Sequence, residues 1–202
     1  MTCNMSRWFF SKYTDNTYNG VTTWIRTFLK ATPNDNLCVP ESGIRLHKDI
    51  ERYLKHDSVS NDTIEFRQFL SFVNDHDHLR PFFVEEPIEI SDLKWRGIVD
   101  VVFVDEDEQF WLYDWKRSKQ DMPSVIEFPT DNLSQMQPSL INAYILQLNI
   151  YRIILESEYD MKIHGMYIAC FHPSLPSYRI VNISRLSHML EMELVDLRLS
   201  EL

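Results

Sequence analysis

The sequence predicts an α/β protein in which a mixed β-sheet is flanked by helices. Two observations lead there. Residues 82–116 hold three successive strand patterns and 162–183 hold two more, while the segments 42–74 and 138–159 repeat their apolar residues at helical spacing. The second observation is the run 95–104, which is apolar on both faces apart from Asp100, so its strand is expected to be covered on both sides.

Taken in order, residues 19–31 read as a short helix with Trp24, Ile25, Phe28 and Leu29 on its apolar side. A loop rich in Pro, Asn and Asp follows at 31–43. Two helices are expected at 42–55 and 61–74, the first carrying Leu46, Ile50, Tyr53 and Leu54, the second Ile64, Phe66, Phe69, Leu70 and Val73. Strands at 82–90, 95–104 and 109–116 come next, the last two joined by the acidic tip 105–108 as a hairpin. Periodicity then lapses over 118–137, a length at which a loop in a compact domain is either a mobile guide for a ligand or a plain connector. Pro138 opens a long helix to about 159, strands follow at 162–171 and 178–183, and Ser184 is expected to cap a closing helix. The chain thus reads as one domain, with an extension at 1–41, a core at 42–183 and a terminal helix at 184–202.

Composition narrows the function. Of 202 residues 44% are hydrophobic, which supplies a core and excludes a disordered chain. Neither a bilayer-spanning apolar run nor a signal-peptide pattern occurs, so the expected location is intracellular, in cytoplasm or nucleus, without a membrane partner. Cys3, Cys38 and Cys170 are too few and too scattered for a zinc knuckle, a disulfide framework or a four-cysteine iron–sulfur cluster. The net charge of -10 argues against a whole-surface grip on nucleic acid, but leaves room for a local basic groove or an acidic metal site. Only four glycines occur, so each invites a reason.

Carboxylates inside strands are the sharpest chemical signal. Closing the 105–109 loop pairs Val104 with Phe110, Val102 with Leu112 and Asp100 with Asp114. Two opposed carboxylates repel unless a positive charge lies between them, and oxygen donors suit Mg²⁺ or Mn²⁺. Lys116 shares a face with Asp114, so a simple salt bridge between the two is the competing reading. In the preceding strand the two-residue period puts Glu86 with Val84, Ile88 and Ile90, making Glu86 the expected inward carboxylate and turning Glu85 away. Gly43, His47 and Glu51 share one helix face. His47 is either a nitrogen ligand for the same cation or an ordinary packed side chain. Gln147 and Tyr151 lie one turn apart on an almost wholly apolar helix. They either orient Lys116 or a phosphate, or hydrogen-bond a strand end.

The ordered set Gly43-xxx-His47, Glu86, Gly97-xx-Asp100, Asp114-x-Lys116 and Gln147-xxx-Tyr151 resembles the PD-(D/E)xK nuclease superfamily, in particular its RecB-like and CRISPR-adaptation-exonuclease branch. It is also similar to stand-alone nucleases of phages and large DNA viruses. The resemblance spans about 42–183 and implies a restriction-endonuclease-like core that hydrolyses phosphodiester bonds with Mg²⁺ or Mn²⁺. It implies His47, Asp100 and Asp114 as metal ligands with the Trp115 carbonyl, and Lys116 as the group that orients water or stabilises phosphate charge. Gln147 and Tyr151 would support the site. The cysteines that hold an iron–sulfur cluster in several relatives are absent. No Walker motif occurs either, so unwinding would fall to a partner such as a helicase or replication factor. Arg117, Lys119, Arg152, Arg45 and Lys48 are candidate nucleic-acid contacts, or plain solvated charges. The expected substrate is DNA, at ends or in single strands. An RNA endonuclease is one alternative, because cap-snatching enzymes use a similar His, Asp and Lys set, and a non-catalytic module of a larger complex is another.

Overall fold

The computed structural model describes residues 18–30 and 41–202. Cys3, Cys38 and most of the expected loop at 31–43 lie outside the described residues. The elements run β1 (Asn19–Gly20), α1 (Val21–Phe28), α2 (Glu41–Leu54), α3 (Ile64–Asp75), β2 (Arg80–Ile90), β3 (Trp95–Val104), β4 (Phe110–Lys116), β5 (Val125–Ile126), a 3₁₀ turn (Leu133–Gln135), α4 (Leu140–Glu158), β6 (Ile163–Cys170), β7 (Arg179–Ile183) and α5 (His188–Ser200).

The strands form one seven-stranded mixed sheet in the order β1-β3-β4-β6-β7-β5, with β2 also paired to β3. β2 and β4 run antiparallel to β3, whereas β4 and β6 are parallel. That parallel pair requires a crossover, which α4 supplies. Its Tyr144, Ile145, Leu148 and Leu155 join α1 and α5 in the larger apolar cluster on one face of the sheet. On the other face Leu46 and Ile50 of α2 and Phe66, Phe69 and Phe72 of α3 pack on Trp115, Phe103 and Tyr113. The central strands are therefore covered on both sides, as the apolar run 95–104 implied.

The helices begin where side chains can satisfy their free amides. Thr63, Ser139 and Ser187 accept from the amides of Phe66, Asn142 and Leu190. Ser184 is not the last cap: its own amide donates to the Ile126 carbonyl, so the chain is still following the sheet edge there and α5 starts four residues later.

Segment 118–137 also departs from the expectation. β5 adds a parallel edge strand to β7, and Met122, Ile126, Leu133 and Met136 are buried in the larger cluster. Two residues of strand leave no periodicity to read, so the sequence pattern missed an anchored segment.

Candidate active site

The site forms where the sheet opens. β2 pairs with one edge of β3 along its whole length. On the other edge β1 covers Trp95 and Arg96, and β4 covers Val101 to Val104. Among the described residues no strand pairs with 97–100 on that edge. The β3–β4 register matches the expected hairpin, but its ladder stops at Val101↔Tyr113, one rung before Asp100 and Asp114. Beyond it a side chain replaces the ladder, and Asp100 Oδ2 accepts from the Trp115 amide at 2.7 Å.

Glu85, not Glu86, is the carboxylate that faces this opening. Its backbone is left-handed (φ 49°), which breaks the two-residue alternation. Val84 therefore packs on the α2–α3 face, while Ile88 and Ile90 pack on the α4 face. β3 switches at the same rung, with Val99 on the α4 face and Val101 on the other. Glu85 lies between the pairs Val84↔Val101 and Glu86↔Val99, across from Asp100. His47, Glu85 and Asp100 then offer ligand atoms that all lie within 4.8 Å of one another. Burial, reinforced by Asp100 and Glu51, pushes the Glu85 carboxyl up to about 9.

His47 stands on α2 above the β4 end. Its Nε2 donates to the Trp115 carbonyl at 2.8 Å, which fixes the neutral ring's lone pair on Nδ1. Nδ1 faces Asp100 at 3.6 Å and Glu85 at 3.9 Å. His47 Nε2 and the Trp115 carbonyl are thus each other's hydrogen-bond partners, which leaves Nδ1 as the atom turned toward the carboxylates.

Asp114 is 2% exposed, and Lys116 Nζ lies 2.5 Å from its Oδ2. Neither oxygen makes a hydrogen bond of good geometry, so the contact is a charge pair and the carboxylate is left under-coordinated. Burial pushes Asp114 up to about 6; Lys116 pulls against it and Asp100 adds to it. Burial alone would lower the Lys116 ammonium, but Asp114 beside it leaves its pKa raised. From α4, Gln147 Nε2 donates to the Tyr151 hydroxyl at 3.3 Å. The Tyr151 ring fills the space over Gly97, where an added Cβ would lie 2.4 Å from its Cε1, so this glycine exists for a close approach.

This constellation fits a hard divalent cation. His47, Glu85 and Asp100 bring an imidazole and two carboxylates within reach of one ion, while Asp114 lies outside that group of three and is paired with Lys116.

No family model and no curated protein matches the sequence. Solved structures resemble its fold. A crystal structure of a proposed exonuclease from Eubacterium rectale superposes with a TM-score of 0.54 at 9% identity, covering 97% of this chain and 84% of that one. An alkaline exonuclease from Laribacter hongkongensis reaches a TM-score of 0.48 at 10% identity over 92% of this chain and 85% of its own. The chain shares the fold of the Eubacterium rectale structure, a mixed β-sheet flanked by helices.

Around that core the basic candidates separate. Arg152 is corrected: it is 3% exposed, pairs with Glu156 and Glu191, and sits inside the α4–α5 packing rather than on a groove. Arg117 leaves β4 beside the site, where its Nε bonds Glu65 Oε1 of α3 at 2.7 Å. Lys119 and Arg45 are exposed, and Lys48 is half-buried. Three further residues escaped the sequence reading. Gln68 of α3 clamps the β6–β7 turn, accepting from the His172 amide and donating to the carbonyls of His172 and Leu175. His172 is thereby held near Arg117 and Lys119. Burial, then Arg117, lowers its pKa. Tyr144, one turn before Gln147, lies under Lys116, with Nζ 4.9 Å from the ring centre.

Proposed function

We propose that this chain is a divalent-metal-dependent nuclease that uses Mg²⁺ or Mn²⁺ to hydrolyse phosphodiester bonds in DNA, at ends or within single strands. One observation supports it most: Asp100, Asp114 and Lys116 meet at the break between β3 and β4, with His47 and Glu85 beside them, in a nuclease-like fold. The proposed domain is single, with 1–41 as extension, 42–183 as catalytic core and 184–202 as terminal helix.

When bound, the metal supplies Lewis acidity at the phosphate and acidifies a coordinated water. His47, Glu85 and Asp100 would hold it together with Asp114, and the Trp115 carbonyl would add an oxygen if released from His47 Nε2. Asp114 is the ion-pair partner of Lys116, so a metal held by Asp114 would loosen that pair. Lys116 then neutralises charge that develops on the phosphoryl oxygens and orients the attacking water. Gln147 and Tyr151 keep α4 seated over Gly97, and so keep the floor of the site in place. Arg117 and Lys119 contact the nucleic-acid backbone beside the β4 end, with Arg45 and Lys48 extending that contact. Duplex unwinding is left to a protein partner such as a helicase or replication factor.

The test is a substrate panel. Pure protein is incubated with end-labelled linear and circular DNA, single- and double-stranded, and with matched RNA, in Mg²⁺, Mn²⁺ or chelator. The expected result is metal-dependent cleavage of DNA, and the circular substrates separate end-dependent from internal attack. Cleavage confined to RNA would move the activity to an RNA endonuclease. Binding without cleavage in any metal would overturn the enzymatic reading.

A further inference from the structure

One buried contact of Lys116 has no part in the chemistry above. Lys116 Nζ has two neighbours of opposite character: the Asp114 carboxylate at 2.5 Å and the face of the Tyr144 ring, 4.9 Å to its centre. Tyr144 is 8% exposed and stands on α4 three residues before Gln147 and seven before Tyr151, so all three share the helix face that looks onto the site. We propose that Tyr144 is the positioning residue of Lys116: its ring face seats the ammonium at the phosphate-facing position after Asp114 has been taken up by the metal. This rests on the nuclease reading above.

Lys116 and the proposed metal compete for the same carboxylate. Asp114 is the stronger partner of Lys116 in the metal-free protein, but it is also a proposed ligand, and its charge is shared once the cation arrives. A lysine with four methylene torsions would then lose its place. An aromatic face attracts an ammonium without carrying a net charge. It therefore holds Nζ while competing with neither the metal for Asp114 nor the phosphate for Nζ. A second carboxylate there would do both. The burial that favours this contact is already in place, because α4 packs Tyr144 into the larger apolar cluster.

Three variants and two readouts test this. Tyr144→Phe keeps the ring, Tyr144→Leu keeps apolar bulk without it, and Lys116→Met assigns the lysine signal. The first readout needs no activity. In protein labelled with ¹³C-lysine, the Lys116 ε-methylene protons are expected upfield from the ring current in wild type and Tyr144→Phe. In Tyr144→Leu they return to the ordinary lysine position. Adding Mg²⁺ alone is expected to keep the upfield position. An ordinary shift in wild type, or loss of the upfield shift on adding Mg²⁺, overturns the seat. The second readout is steady-state cleavage. Tyr144→Leu is expected to lower kcat about tenfold with KM and Mg²⁺ affinity unchanged, while Tyr144→Phe stays within about twofold of wild type. Equal kcat in wild type, Tyr144→Phe and Tyr144→Leu overturns the positioning role, as does a Tyr144→Leu loss that appears in KM alone. A wild type that cleaves nothing while the ring-current shift survives Mg²⁺ would reject the nuclease reading and not the seat.

Discussion

Glu85 adopts a left-handed backbone that glutamate rarely takes, and it does so on the rung where two carboxylates face each other. Such strain persists only where surrounding structure holds it, here the antiparallel pairing on both sides of the rung. The raised pKa of Glu85 has a stability consequence with a definite sign. The folded form binds a proton that the unfolded chain has released, so stability present below the ordinary value of 4.5 is lost as pH rises toward about 9. Metal-free wild type is therefore expected to melt at progressively lower temperature across that window. Glu85→Gln should flatten the dependence, and Mg²⁺ or Mn²⁺ should restore wild type at the alkaline end. Differential scanning fluorimetry against pH checks this; parallel curves for wild type and Glu85→Gln would refute the assignment. Which of two adjacent glutamates turns inward was not legible in the sequence, because the period-2 rule assumes unbroken extended backbone and nothing in the residue type announces φ 49° at a glutamate. Asp100, Asp114 and Lys116 were legible because polar residues in an otherwise apolar strand demand a partner.

At the scale of elements, α4 carries both structure and site. Gly97→Ala would drive a methyl group into the Tyr151 ring, and the ring must leave or β3 must shift. The expected cost is about 1–3 kcal/mol in urea unfolding, together with loss of the Gln147–Tyr151 hydrogen bond. Unchanged stability would mean the glycine is not needed for that approach. Arg152, on the same helix, answers a different question. Arg152→Ala removes the buried partner of Glu191 and one of the two arginines on Glu156, which keeps Arg185, and about 1–3 kcal/mol of stability should be lost. The variant that remains folded should bind oligonucleotide as wild type does. A selective loss of binding would return Arg152 to the groove. The sequence placed Arg152 near the motifs correctly but could not show that α5 closes over it, since that contact spans residues 152 to 191. Long elements with strong periodicity, such as α2, α3 and β3, were legible to within a few residues. The two-residue strands β1 and β5 were not, because pairing across the chain rather than local pattern creates them.

For the whole molecule, the balance of charge decides how a substrate is held. With a net charge of -10, the proposed attraction to nucleic acid would come from the few basic groups near the β4 end rather than from the overall field. If Arg117, Lys119, Arg45 and Lys48 make the phosphate contacts, binding to single-stranded DNA should weaken with salt at a log–log slope no steeper than about -3. Fluorescence anisotropy across a salt series with Ca²⁺ checks this, and a much steeper slope would reveal a larger basic surface. The central claim is that Asp114 and Lys116 are chemical rather than structural. It is tested most directly by single-turnover cleavage of an end-labelled single-stranded oligonucleotide in saturating Mn²⁺, comparing wild type with Asp114→Asn and Lys116→Ala, each shown folded by its melting curve. Cleavage by wild type and a loss of at least about a hundredfold in each variant are expected. Wild-type turnover in folded Asp114→Asn would contradict it.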